Sequence, residues 1–223
     1  FVIADSLENQ EFCLWLKGVI TEYSNRITIG CHGLTHKSWS AWPEDAEQFS
    51  QSITQAIEQI SGFAGENFRP WFRAPAGYMA PWMVAPLVDC GITVDSSIND
   101  SILTRVKAGG GNTWQQVRDS CQQVGLLERE WLTKWRLPVN GPALSLFPLS
   151  LIAQRAWKQL PPPLSAAELT KSVEDEKTEI VTVYWHILDH SRRRGRWQPP
   201  ITKSILNHYC LLYTSPSPRD PRE

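Results

Sequence analysis

Five residues able to do chemistry stand at or just after the ends of short apolar runs: His32 and His36 in RITIGCHGLTHKSW, Arg73 in PWFRAPAG, Asp95 in GITVDSS and His186 in TVYWHI. Two imidazoles at i and i+4, placed in one loop by Gly33, read as a pair of metal ligands, because neutral imidazole nitrogen is a good donor to zinc. Arg73 carries a planar fork that can hold a carboxylate in position. His186 suits a general acid if a carboxylate tunes its pKa toward neutrality. Asp95 is one candidate partner for it, and Asp189 and Asp100 are others. Cys31 adjoins His32, but strand alternation points it to the opposite face, so it reads as core.

The elements that must position these groups alternate strand with helix. Arg26, Thr28 and Gly30 alternate with Ile27, Ile29 and Cys31, which predicts a strand over 27–31 with one buried face. Residues 1–4 read as an earlier strand, and Phe12, Trp15, Leu16, Val19 and Tyr23 then recur at helical spacing. Pro43 suits the first turn of a second helix, with Glu44 and Asp45 favourable at its positive end. Its inner face would be Ala46, Phe49, Ile53, Ile57 and Ile60, with Gly62 or Gly65 as the stop. PWFRAP and GITVDSS end two more strands, and Pro81 opens the helix between them. Residues 101–113, with KAGGGN, read as a loop. EREWLTKWRLPV and EIVTVYWHI are late strands, separated by a helical LSLIAQRAWKQL and the linker PPPLS. This order implies an α/β domain with a parallel sheet, whose C-terminal strand edge is where ligands gather.

The 223 residues, 42% apolar and 20% charged, suit one domain with a core that needs no disulfides. A net charge of -1 excludes the basic excess of a nucleic-acid binder. Arg192, Arg193, Arg194 and Arg196 read as a solvated loop. No apolar run approaches the roughly 20 residues that span a bilayer. Five cysteines, an odd number without pairwise spacing, make no disulfide framework. The sequence opens at Phe1 with a strand under way. Its end, CLLYTSPSPRDPRE, carries no helical or strand period, and Cys210 to Asp220 resemble an in-frame translation of a sequencing adapter. The domain is therefore read as 1–209, with 210–223 a non-native tail. Trp39, Trp42 and Trp82 fall near the expected mouth and could stack on sugar rings, although most tryptophans in such a chain are core.

Taken together, HGLTH, RAPAG and VYWH resemble the motifs of the polysaccharide deacetylases, the NodB homology domain of carbohydrate esterase family 4. HGLTH is similar to that family's histidine motif, RAPAG to its Arg-Pro-Gly motif, and VYWH to its late strand with a catalytic histidine. The DSS after a strand recurs in one branch. The resemblance runs from Phe1 to about Asp189. It implies a distorted (β/α) barrel that removes N-acetyl groups from an amino-sugar polymer, an acetylated glycan. It also implies a divalent metal, usually zinc, on His32, His36 and an aspartate. Arg73 would then orient an aspartate base, His186 would protonate the leaving amine, and a backbone N–H would share the oxyanion.

Two departures from the family pattern matter. The family's opening strand, whose paired aspartates serve as base and third ligand, would precede residues 1–4. It is absent here, so the fragment is expected to be incomplete and inactive. Ala76 stands where the family often has tyrosine, although a backbone N–H does not depend on that side chain. Three rivals share the residues: a small cyclic amide or ureide hydrolase on the same fold, a non-catalytic carbohydrate-binding form, and a structural domain with incidental histidines.

Overall fold

The computed structural model describes residues 1–161 and 164–184. Four short strands, β1 (Ile29–Cys31), β2 (Phe68–Phe72), β3 (Val94–Asp95) and β4 (Leu127–Glu128), pair in parallel in sequence order. Parallel neighbours need crossover connections, and helices supply them. Before β1 comes α1 (Gln10–Glu22); α2 (Ala46–Ala64), α3 (Pro81–Asp89) and α4 (Trp114–Val124) lie between successive strands. The sheet gains a single parallel bridge at each margin, Val2 beside Cys31 and Thr182 beside Trp131. An antiparallel hairpin, β5 (Thr133–Lys134) with β6 (Leu137–Pro138), follows β4, and α5 (Leu149–Trp157) and α6 (Ala166–Val173) come last. The α/β order with a parallel sheet agrees with the sequence pattern.

The two faces of the sheet are both covered. Ile29, Cys31 and Phe72 pack under α1–α4, with Phe49, Ile53, Ala56 and Ile60 of α2 fully buried against them. Burying Phe49, Ile53 and Ile60 contributes about 1.5–3 kcal/mol each. Phe1, Trp71 and Val94 lie on the opposite face with Val173 of α6. They line a cavity of about 490 Å³ that is also bounded by Ile180 and Val181, so both sheet margins border one space.

Several expected elements are adjusted. The run over 27–31 is shorter as a strand, and β1 is buried on both faces rather than one, because Phe1 covers the side that alternation left open. Of residues 1–4 only Val2 bridges, and Ala4–Glu8 is a 3-10 turn. Helix α2 starts at Ala46 rather than Pro43, since the Asp45 carboxylate accepts from the Gln48 N–H at 3.0 Å and makes the stronger cap. Gly65, with φ 53°, ends it. The expected loop over 101–113 contains a 3-10 helix at Ile102–Ala108. EREWLTKWRLPV forms no single strand, because β4 ends at Glu128 and the chain turns back through the hairpin.

Gly30 is where the faces meet most closely. A Cβ there would lie 2.8 Å from the Phe1 ring and 2.9 Å from the Trp71 carbonyl oxygen, and the backbone oxygen cannot move aside. Gly30→Ala is expected to cost about 1–3 kcal/mol, seen as a lower thermal midpoint by circular dichroism. An unchanged midpoint would show that Phe1 does not seal this face.

Candidate functional site

The parallel pairing of β1 and β2 sets the residue after one strand beside the residue after the other. His32 is 3% exposed, and its backbone N–H donates to the Val2 carbonyl at 2.8 Å. The Arg73 N–H donates to the Cys31 carbonyl at 3.0 Å. The His32 ring nitrogen Nδ1 lies 2.7 Å from the Arg73 carbonyl oxygen. A carbonyl only accepts, so Nδ1 carries the hydrogen and Nε2 keeps its lone pair. Burial first, then repulsion from His36, holds the His32 pKa well below the usual imidazole range. Gly33, with φ 92°, turns the chain back and brings the His36 ring to 5.4 Å from that of His32, inclined at 66°.

Arg73 is 2% exposed. Its Nε donates to the Ser96 carbonyl at 3.0 Å and its Nη2 to Ser96 Oγ at 3.1 Å. The Trp131 indole N–H donates to the same carbonyl at 2.8 Å. Rings of Phe1, Trp131 and Tyr184 flank the guanidinium, with centroids 4.7, 5.0 and 5.8 Å from Cζ. Among the described residues Nη1 has no hydrogen-bond partner. Burial brings the Arg73 pKa down to about 10, opposed by Tyr184, Asp95 and Glu128, so the cation persists at neutral pH.

Asp95 is fully buried and stands in register with Phe72 and Glu128, on the α4 side of the sheet, whereas Trp71, Arg73, Val94 and Ser96 line the cavity. Ser97 Oγ donates to Asp95 Oδ1 at 2.6 Å and accepts from the Ala74 N–H at 2.8 Å. The Ile98 N–H donates to Glu128 Oε1 at 3.2 Å. The remaining oxygens, Asp95 Oδ2 and Glu128 Oε2, have no N–H or O–H donor among the described residues, while the two carboxyls interact directly. Burial, and then the Asp95 charge, drives the Glu128 pKa well above the carboxylate range, and burial raises that of Asp95 as well.

The structure thus brings His32, His36 and Arg73 to one edge and turns Asp95 to the other side of the sheet. Asp100 is engaged by Arg118 at 2.8 Å and Arg136 at 3.5 Å. His186, Asp189, the arginine cluster and the 210–223 tail lie outside the described residues. Trp39 is core, packed edge-on against Phe49, and Trp82 is half-buried against the same ring; Trp42 is 48% exposed. Sequence reasoning missed Glu128, whose signal was an acid two residues before Glu130 in a strand. It also missed Asp5, an acid directly after residues 1–4 whose N–H meets the Leu34 carbonyl beside the histidine loop.

The expectation of a divalent metal, zinc above all, on His32 and His36 is overturned. Among the described residues no group of three or more His, Cys, Asp or Glu side chains could hold a metal ion. The two imidazoles fill half a tetrahedral shell and bring no anionic donor. Asp95 is committed to Ser97 and Glu128, and Asp5 does not complete the pair. No protein-family model, curated protein or solved structure matches the chain.

The carboxyl pair carries a pH dependence of defined sign. A folded pKa raised above the unfolded value gives stability that is full below about pH 4.3 and is lost as pH rises toward the folded pKa. Glu128→Gln keeps a donor toward Asp95 and removes the titration. Its thermal midpoint is expected to fall less than that of the parent chain between acidic and alkaline pH. Parallel curves would show that no proton is held at this pair.

Proposed function

We propose that the edge carrying His32, His36 and Arg73 belongs to a polysaccharide deacetylase-like hydrolase acting on N-acetyl groups of an amino-sugar polymer. The fold in this reading is a distorted (β/α) barrel, supported by the parallel βα order and by the cavity that both sheet margins border. The observation that carries the proposal is the bond from His32 to the Arg73 carbonyl, which joins two motifs 41 residues apart at one strand edge. Two separate sequence motifs, HGLTH and RAPAG, meet at that edge, and the third, with His186, lies outside the described residues.

In this reading His32 and His36 line the acetamide pocket, with His32 Nε2 as an acceptor for a water or hydroxyl proton. Nη1 of Arg73, without a hydrogen-bond partner among the described residues, is the donor available to a carboxylate. His186 protonates the departing amine. No step is assigned to a metal, because the described residues do not form a site for one.

Calorimetric titration with N-acetylated and fully deacetylated chito-oligosaccharides tests this proposal, with released acetate as a second readout. The acetylated oligomer is expected to bind more tightly, and His36→Ala to weaken it about tenfold, about 1.4 kcal/mol. Acetate release would support hydrolysis. Selective binding without release would move the assignment to a carbohydrate-binding protein, and equal or absent binding of both oligomers would overturn it.

A further inference from the structure

We propose that the rim formed by the 3-10 helix at Ile102–Ala108 and the β5–β6 hairpin docks on an anionic lipid bilayer surface. The two segments form one surface, because the Ile102 N–H donates to the Arg136 carbonyl at 2.9 Å. Val106 is 78% exposed, Trp135 74%, Leu103 62% and Ile102 52%. Single exposed apolar residues are ordinary, but four large ones on two adjoining segments mark an interaction surface.

Charge selects the partner. Arg105, Lys134 and Arg136 are exposed on the same two segments. The neighbouring acids, Asp100 and Glu130, are held by Arg118 at 2.8 and 2.5 Å, and Asp100 also meets Arg136 at 3.5 Å, so Arg105 and Lys134 are the main cations of the rim. The rim therefore presents cations around an apolar centre. On a bilayer, aliphatic side chains enter the acyl boundary, an indole sits at the headgroup level and cations meet lipid phosphates. A glycan would use the indole face but not three branched aliphatic side chains, and lysine is depleted from protein–protein contacts.

The backbone also holds the indole outward at a cost. Trp135 and Arg136, with φ 52° and 59°, fill the two central positions of the hairpin turn, where Asn-Gly is the favoured pair. Strain kept at an exposed tip points to a role for the side chain.

Co-sedimentation of the full chain with vesicles of equimolar phosphatidylglycerol and phosphatidylcholine tests the proposal, with pure phosphatidylcholine vesicles as the control. Binding is expected to favour the anionic vesicles and to weaken with added salt. Removing one cation, as in Lys134→Ala, should lower the partition coefficient about fivefold. Val106→Asp should lower it about tenfold or more. Trp135→Gly separates docking from folding: it relieves the left-handed strain, so it should raise the thermal midpoint while weakening vesicle binding. Equal binding to both vesicles, or unaltered binding by Val106→Asp and Trp135→Gly, would overturn the proposal. So would a concentration-dependent dimer that these variants abolish, with no vesicle binding.

Discussion

The constraint on which the rest of this structure depends is a guanidinium with almost no contact with water. A buried cation is tolerated only where hydrogen bonds and opposite charge replace its hydration. Arg73 meets that demand with the carbonyl and hydroxyl of one residue, Ser96, and with the faces of three aromatic rings. Beyond the sheet, the buried carboxyl groups of Asp95 and Glu128 add electrostatic support for the cation. The ends of β2, β3 and β4 are thus locked together by polar chemistry rather than by apolar packing alone.

That lock explains how the edge can present functional groups on such short strands. β3 and β4 have two residues each, too few for ladder hydrogen bonds to fix the loops that follow them. The Arg73 carbonyl orients His32, and the next N–H, that of Ala74, passes through Ser97 to Asp95. Two consecutive residues therefore couple the histidine side of the sheet to the carboxyl pair on the helix side. Hydrogen-bond chains of this kind hold side chains in one rotamer before any ligand arrives.

Much of this was legible in the sequence, and the remainder was not, for physical reasons. His32 and Arg73 could be found because a polar residue ending an apolar run falls at a strand edge. Asp95 showed the same signal, but its face depends on where a two-residue strand begins, and a shift of one residue reverses it. Spacing at i and i+4 correctly brought the two imidazoles together. It carried no information about a third donor, which tertiary structure alone supplies, and the metal expectation failed there. The glycines of KAGGGN concealed the 3-10 helix before them, since they occupy only its exit. The tryptophans near the edge illustrate the same limit: composition cannot tell Trp39, packed on Phe49, from the exposed Trp42.

Replacing the guanidinium by a charge of another shape tests the account most directly. Arg73→Lys keeps the cation, but an ammonium is a point donor that cannot span Ser96 O and Ser96 Oγ while lying between the rings. Denaturant unfolding, with hydrogen exchange at the Ala74 and Ser96 amides, measures what is lost. The expected result is a loss of about 3–5 kcal/mol, with both amides exchanging faster. A change within about 0.5 kcal/mol and unaltered exchange would contradict the claim that Arg73 holds the edge together.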